Sequence, residues 1–424
     1  MNMQAKPPRT PAEQAIIDAF VADLGTLAGD ANVTSARDRL VAEFSDAGLP
    51  SRRIESWHYT DMRTLLRAVP GVNDFGAADQ LTPLLAGAAI LPVIQGTAGK
   101  PDEVSGLAVE PFMDLLASGE AASLLAARGA DDLVGRINSA FVSDGFSLDI
   151  ADGAELDRSV EIQAVQAGGH AHTRFPVRVG AKSKATLVER QAGADGKAGF
   201  SSSITTLDVG EGAEVTYVVV QEKGGSDTHL GQIAVTLAAG ARLMLFILNA
   251  GGKLVRQEIH VTTTGEGAHF DLRGINLLAH DSHTDVTLVL GHDVAHTTSK
   301  ETMRNIVFDR ARGVFQGQIR VAKGAQKTDA KMACNTLLLS DEAEFSAKPE
   351  LEIFADDVIC GHGATVADID RNHLFYLEAR GIPETKARAL LVQAFVQETV
   401  EELEDAALVE ALEAIIDTWL AGRA

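Results

Sequence analysis

In 424 residues the chain carries only two cysteines, Cys334 and Cys360. Two thiols cannot staple a chain of this length, which argues against a disulfide-built secreted scaffold and for reduced thiols in a cytoplasmic protein. Positive charge is also scarce: 37 Lys and Arg stand against 59 Asp and Glu, a net charge of −22. Nucleic acid and anionic membrane surfaces recruit Lys/Arg patches, so neither is expected as a partner. No window of about 18 apolar residues exists to span a bilayer. The opening M-N-M-Q-A-K-P-P-R-T leads into no uninterrupted apolar run, so no signal peptide is expected. The Gly-Lys pairs at Gly99, Gly196 and Gly252 are followed by Pro, Ala and Leu, and none completes a phosphate-binding P-loop. Nucleophile-elbow, C-x-x-C and H-E-x-x-H patterns are missing too, so ATP hydrolysis by this chain is not expected.

What the chain does have is a core and a rhythm. Hydrophobic residues make up 46% of the sequence, enough for a large folded body. From about Gly145 it is β-like for some two hundred residues. Short pairs precede apolar runs at Gly153-Ala154, Lys184-Ala185, Gly212-Ala213, Gly240-Ala241, Gly267-Ala268 and Gly324-Ala325. The alanines step by 185−154=31, 213−185=28, 241−213=28 and 268−241=27. The last gap, 325−268=57, is two steps with Ala295 near its middle. Runs such as Glu214 to Val220 and Arg242 to Leu248 are nearly continuous in apolar residues, as in strands covered on both faces. A fixed period of this size indicates stacked coils, a mainly β fold built as a β-helix or β-solenoid. A large sandwich is the alternative, although its turns usually come every 8–12 residues.

Helical segments flank this body. Residues from about Pro11 to Ala68 read as helical, with Pro11 at a first helical position and a second helix over Ala36 to Ala47. The stretch Arg53 to Asp61 reads as a buried aromatic anchor at Trp57 with a local ion pair. Residues 71–106 read as short strands and loops, and helices are expected over Pro111 to Ala127 and Asp132 to Phe141. After Asp370 two amphipathic helices follow, which either cap the open end of the solenoid or present a docking face. The expected division is 1–145, mostly helical; 146–370, β-helix core; and 371–424, helical.

Candidate chemistry concentrates between Ala347 and Val366, A-K-P-E-L-E-I-F-A-D-D-V-I-C-G-H-G-A-T-V. On an extended chain Cys360 and His362 point to the same side, and the flanking glycines permit close approach. The spacing of Cys334 and Cys360, 360−334=26, is close to one repeat step. In a solenoid, Cys334, Cys360 and His362 are therefore expected to approach across adjacent coils, offering thiolate and imidazole to iron–sulfur species or zinc. Two buried structural cysteines are the plainer alternative. Six of the twelve histidines lie between His260 and His296. Most are expected on a polar face or satisfied locally, since a metal role requires convergence from adjacent coils.

Several stretches together resemble the SufB/SufD family of iron–sulfur cluster assembly scaffolds, on its SufD side. They are R-x-E-x-W-x-Y-T at Arg53 to Thr60, Gly313 to Gly317, Ala325 to Ala330, Leu337 to Asp341, K-P-E-L-E-I through C-x-H-G-A-T at Lys348 to Thr365, and Leu374 to Ile382. The resemblance implies a right-handed parallel β-helix between helical ends. It implies a non-catalytic subunit that pairs with a SufB paralogue through the β-helices and docks a SufC ATPase through the C-terminal helices. His362 matches the family's interface histidine and Cys360 the thiol beside it. No stably bound cofactor is implied, only iron or a nascent cluster in the assembled complex. Cys334 falls where SufB proteins carry a cysteine, and Gly361 where relatives often carry Ser. The isolated chain is expected as a monomer or a homodimer. The competing readings are a solitary β-helix polysaccharide-active enzyme using Asp356, Asp357 and the basic residues from Arg304 to Arg320, and a purely structural adaptor. The 5% aromatic content speaks against a sugar groove.

Overall fold

The computed structural model describes residues 8–423; Met1 to Pro7, part of the stretch behind the no-signal expectation, lies outside them. Helix α1 (Pro11–Asp23) opens on a capping box between Thr10 and Glu13, with Pro11 in the first turn. Helix α2 (Ala31–Ala47) begins ahead of the expected Ala36, because the Asp30 carboxylate accepts from the Asn32 and Val33 amides. After a short helix α3 (Met62–Leu65) come strands β1 (Ala89–Ile94), β2 (Thr97–Ala98) and β3 (Leu107–Pro111). The helix expected over Pro111 to Ala127 is interrupted. Helix α4 (Phe112–Ser118) stops at Gly119, whose φ of 86° is left-handed, and a 3₁₀ segment follows at Glu120–Leu124. Helix α5 (Leu133–Phe141) starts where the Asp132 side chain accepts from the Gly135 amide.

Sixteen strands then build the solenoid. They are β4 (Asp144–Ile150), β5 (Val160–Gln166), β6 (Gly169–Val179), β7 (Lys184–Gly193), β8 (Gly199–Val209), β9 (Glu214–Glu222), β10 (Thr228–Leu237) and β11 (Arg242–Asn249). The second half comprises β12 (Leu254–Thr263), β13 (His269–Leu278), β14 (His283–His292), β15 (Thr298–Val307), β16 (Arg312–Val321), β17 (Asp329–Leu338), β18 (Glu344–Ile353) and β19 (Ile359–Ala367). Each strand skips its sequence neighbour. Odd strands from β5 to β19 stack in one sheet of ten that ends in β1 and β2, and even strands in a sheet of nine that ends in β3. Pairing is parallel throughout except for β1–β2 and β3–β4. Each coil thus contributes one strand to each sheet, as a parallel β-solenoid requires.

The coil length is not constant. The step between register partners is 258−232=26 at Gln232 and Glu258 but 348−316=32 at Gln316 and Lys348. The repeated turn is a column of left-handed residues: Gly153, Lys182, Gly212, Gly240, Gly267, His296 and Lys327, all with φ between 57° and 75°. The amides of Lys182, Gly212, Gly240 and His296 each donate to a carbonyl of the following coil, at Glu211, Ala239, Glu266 and Gln326. Lys184-Ala185 and Gly324-Ala325 stand outside this column. Non-glycine residues hold those turns instead, which is why spacing based on Gly-Ala pairs drifts there.

Apolar residues on both faces of the strands have two destinations. Inward, Tyr217, Leu245, Leu272, Leu288 and Phe315 fill the space between the sheets. Outward from the ten-stranded sheet, Val218, Phe246, Leu248, Ile275 and Ile306 pack under the C-terminal helices α6 (Arg371–Glu378), α7 (Glu384–Glu401) and α8 (Ala406–Ala421). These helices offer Val392, Val396, Val400, Leu408, Leu412 and Ile416 to that face. They lie along the flank of the solenoid and leave its end uncapped. On the opposite flank, Phe200, Ile204, Leu230 and Leu254 pack against Ile16, Phe20, Trp57 and Phe141 from the N-terminal segment.

Candidate functional site at the open end of the solenoid

Among the described residues no further coil stacks on the last one, β18 and β19, and β19 is exposed along nearly its whole length. Ile353, Phe354, Ile359 and Val366 leave large apolar surface in water there. Cys360 and His362 sit on this edge strand. Cys360 is in register with Ala330 and His362 with Met332, both buried residues that belong to the interior. Since strand side chains alternate, Cys360 and His362 face the same way as these two, toward the space between the sheets. Cys360 is half-buried and packs against the core, whereas His362 is exposed. Burial pushes the Cys360 thiol's pKa up, and the neighbouring acids Asp329 and Glu301 push the same way, partly offset by a hydrogen bond with the Ala330 backbone. On the other face of β19, nothing lies within 4 Å of where side chains at Gly361 and Gly363 would project, so the strand is open to an approaching backbone.

Cys334 does not join this pair. It is in register with Ala364, so the coil step here is 364−334=30, longer than the spacing of the two cysteines. The mismatch of four positions sets Cys334 about 13 Å from Cys360 along the strand direction. Its side chain is fully buried, and Asn305 Nδ2 donates to its Sγ at 3.4 Å. Burial pushes its pKa up to about 12, so it stays a neutral thiol. Asn305 ends a buried asparagine ladder. Asn249 Nδ2 donates to Asn276 Oδ1 at 2.8 Å, and Asn276 Nδ2 to Asn305 Oδ1 at 2.7 Å, one coil per step. Among the described residues, no group of three or more His, Cys, Asp or Glu side chains is placed to hold a metal ion.

The histidines between 260 and 296 form no such group. His283 lies 2.9 Å from Thr60 Oγ1, and His269 lies 2.6 Å from both Thr298 Oγ1 and Asp271 Oδ2. His292 is buried between Thr297 and Ser299, and His280 and His296 occupy left-handed turns. Three of the four basic residues considered for a sugar-cleaving role are paired: Arg304 with Glu398, Arg312 with Glu344 and Arg320 with Asp293. Asp357 pairs with Lys327. Trp57 is a buried anchor, but its ion pair is distant in sequence. The Arg256 guanidinium stacks 3.8 Å from the ring centroid and pairs with Asp285 and Glu258.

Two features escape sequence reading. On α6, Phe375 and Tyr376 are exposed, with Arg380 stacked 4.4 Å from the Tyr376 ring. Glu301, on β15, is a buried carboxyl pointing into the solenoid. Its surroundings, T-S-K-E-T-M-R-N, carry no apolar alternation that would mark position 301 as inward.

Residues 162–395, more than half the chain, match the family model described as the SUF system FeS cluster assembly SufBD core domain. The iron–sulfur cluster assembly protein SufD of Escherichia coli K12 is 31% identical over 254 residues, covering 60% of each chain. A SufBD family protein of Synechocystis is 33% identical over 211 residues, 49% of this chain and 46% of that one. The chloroplastic protein ABCI7 of Arabidopsis thaliana is 27% identical over 283 residues, 64% of this chain and 59% of that one. The match thus spans 60% or less of the length of these curated relatives. With a parallel solenoid and a family model that covers its core, this chain belongs to the SufBD family of the SUF iron–sulfur cluster assembly system.

Proposed function

We propose that this chain is a non-catalytic, SufD-like scaffold subunit of a cytoplasmic complex that assembles iron–sulfur clusters. Iron or the nascent cluster is its cargo rather than a resident cofactor. Cys360 and His362 contribute thiolate and imidazole to that cargo at an interface between subunits, and Cys334 serves packing. The observation that carries this reading is the pairing of both side chains on the inward face of an uncovered edge strand. Two donors are too few for a closed site, so completion by residues of another chain follows from the chemistry. An edge strand with free amides and carbonyls and exposed Ile359 and Val366 suits extension of the solenoid by a second β-helix. A SufB-type paralogue is the proposed partner, with self-pairing when that partner is missing. The C-terminal helices, with Phe375 and Tyr376 exposed, are the proposed dock for a SufC-type ATPase.

The test is anaerobic co-expression with SufB- and SufC-type chains of the same genome, followed by the mass and subunit ratio of what co-purifies. One copy of this chain with one SufB-type and two SufC-type chains is the expected assembly. Elution of this chain alone would count against the docking roles, and unimpaired cluster formation by His362→Ala would count against the site. Unchanged complementation after replacing both Cys360 and His362 would favour the structural adaptor.

A further inference from the structure

We propose that Glu301 is the inner acid of the Cys360–His362 site: it keeps its proton while the pair is empty and releases it when the pair takes up a divalent cation. The inference rests on the ligand role proposed above for Cys360 and His362. Leu272, Glu301, Met332 and His362 occupy one rung of four adjacent strands, so Glu301 lies two strands inward from His362 on the same face. Two strand spacings place their Cα atoms about 10 Å apart.

Glu301 is 1% exposed, and among the described residues neither carboxylate oxygen has a hydrogen-bond partner of good geometry. The same solenoid satisfies another buried acid completely. Glu189 accepts from Gln191, Thr205 and Tyr217 at 2.7, 2.9 and 2.8 Å. A structural carboxylate in this interior therefore receives donors, and Glu301 receives none of that kind. Its neighbours on the rung, Leu272 and Met332, are apolar, as are Leu288, Phe315 and Ile319 of the facing sheet. The charged groups near it are Asp271 and Arg273, which flank Leu272 on β13 and act in opposite directions on the carboxyl. His292, bonded near Ser299, is held neutral by burial, with its pKa down to about 4. Burial pushes the Glu301 pKa up to about 8 against the weaker opposing pull of Ser299 and Arg273, so the acid is mostly protonated at neutral pH.

Coupling to the mouth of the solenoid is visible from the other side, since the charge of Glu301 contributes to raising the Cys360 pKa. The reciprocal effect holds for a bound cation. The Cys360 thiol loses its own proton when it binds the metal as thiolate, so the site gains one net positive charge. That charge about 10 Å away, at an effective dielectric near 20, strengthens the acid by roughly one pH unit. On uptake the Cys360 S–H bond breaks and its electron pair goes to the metal; the Glu301 O–H bond breaks and its electron pair stays on the carboxylate. Both protons leave through the uncapped end to buffer, and the two negative charges balance the incoming divalent cation.

The experiment is an anaerobic titration of the full chain with Co2+ alone, followed by thiolate-to-cobalt absorption. Proton release is counted by calorimetry in two buffers of different ionisation enthalpy. Wild type is expected to release about half a proton more at pH 7.5 than Glu301→Gln. The Kd of Glu301→Gln should be close to that of wild type at pH 6 and exceed it about fivefold at pH 8, a pH-dependent ratio that a packing defect does not produce. Equal proton counts and a ratio that does not change with pH would overturn the proposal. Wild type alone gives an independent reading: the infrared carbonyl band of a buried protonated carboxyl should weaken as Co2+ is added at about pH 7.5, and a band undiminished at saturation overturns the proposal even where Glu301→Gln fails to fold. If Cys360→Ala and His362→Ala abolish Co2+ uptake while Glu301→Gln behaves as wild type, the coupling falls and the ligand role stands. If wild type takes up no Co2+, the coupling proposed within this chain falls, while the ligand role, which another chain completes, is decided by His362→Ala in the assembled complex.

Discussion

Cys334 and Cys360 lie on adjacent strands of one sheet and face the same interior, yet Cys334 is in register with Ala364 and Cys360 with Ala330. The two thiols are therefore chemically unequal. One is a sealed, hydrogen-bonded core thiol and the other stands at the mouth of the solenoid. We expect Cys360→Ala and His362→Ala to reduce cluster assembly in a complementation assay without lowering the stability of the isolated chain by more than about 1 kcal/mol, as befits exposed or half-buried positions. Cys334→Ala should do the reverse. It removes a fully buried sulfur and should cost about 1–3 kcal/mol in urea unfolding while leaving complementation intact. Loss of complementation by a stable, folded Cys334→Ala protein would contradict this division of roles.

The ladder that ends at Cys334 gives a second expectation. Replacing Asn276 by Ala leaves the Asn249 donor and the Asn305 acceptor unpartnered in the interior, since Asn276 bonds both. Each orphaned group costs about 1–3 kcal/mol. We expect Asn276→Ala to lose roughly 2–5 kcal/mol, more than Asn276→Asp measured at low pH, where the protonated acid still offers a donor and an acceptor. A loss below about 1 kcal/mol would mean that water or rearranged neighbours take over the bonds.

Trp57 and Arg256 supply a third. The guanidinium is buried between the Trp57 ring and the carboxylates of Asp285 and Glu258, and these carboxylates hold its pKa up despite burial. Arg256→Met leaves two buried acids without their cation and should cost about 3–5 kcal/mol. The double change Arg256→Met with Asp285→Leu should recover part of that loss, because the uncompensated charge is what costs most. Denaturant unfolding of the three proteins decides it. If the single and double variants are equally destabilised, the stacking on Trp57 matters more than the charge.

How much of this was legible in the sequence depends on whether a signal is local. The apolar runs Val215 to Val220 and Leu243 to Leu248 announce strands covered on both faces, and the structure covers them with core on one side and helices on the other. The solenoid period is legible for the same reason. Its phase is not, because Lys182, His296 and Lys327 take left-handed turns that glycine would have marked. The coil step is uneven, shorter at Gln232 and Glu258 than at Gln316 and Lys348, which defeats any contact inferred from spacing alone. That is why the spacing of Cys334 and Cys360 suggested a meeting that the register does not make. The shared face of Cys360 and His362, which needs only strand alternation, was readable. Glu301 was not, because its inward position is fixed by register with Leu272 and Met332, far away in sequence.

Glu301 also leaves a signature on stability. Its pKa is raised by burial from an ordinary 4.5 to about 8 in the folded chain. Between these values the unfolded chain has lost the proton and the folded chain still holds it, so folding stability falls as pH rises. Its contribution is fully present below about pH 4.5 and is lost by the time pH passes 8. Across pH 5 to 8 the loss amounts to roughly 4 kcal/mol. His292 acts in the opposite sense. Burial lowers its pKa to about 4, so its contribution is present above the ordinary value of 6.5 and is lost as pH falls toward 4. A pH profile of the wild type alone therefore mixes the two, and the difference between wild type and Glu301→Gln isolates the acid. The amide does not titrate, so we expect the stability of Glu301→Gln relative to wild type to rise steadily from pH 5 to pH 8 in urea unfolding, by a few kcal/mol in all. A constant difference across that range would mean that Glu301 is already ionised in the folded chain and has a counter-charge at the open end of the solenoid.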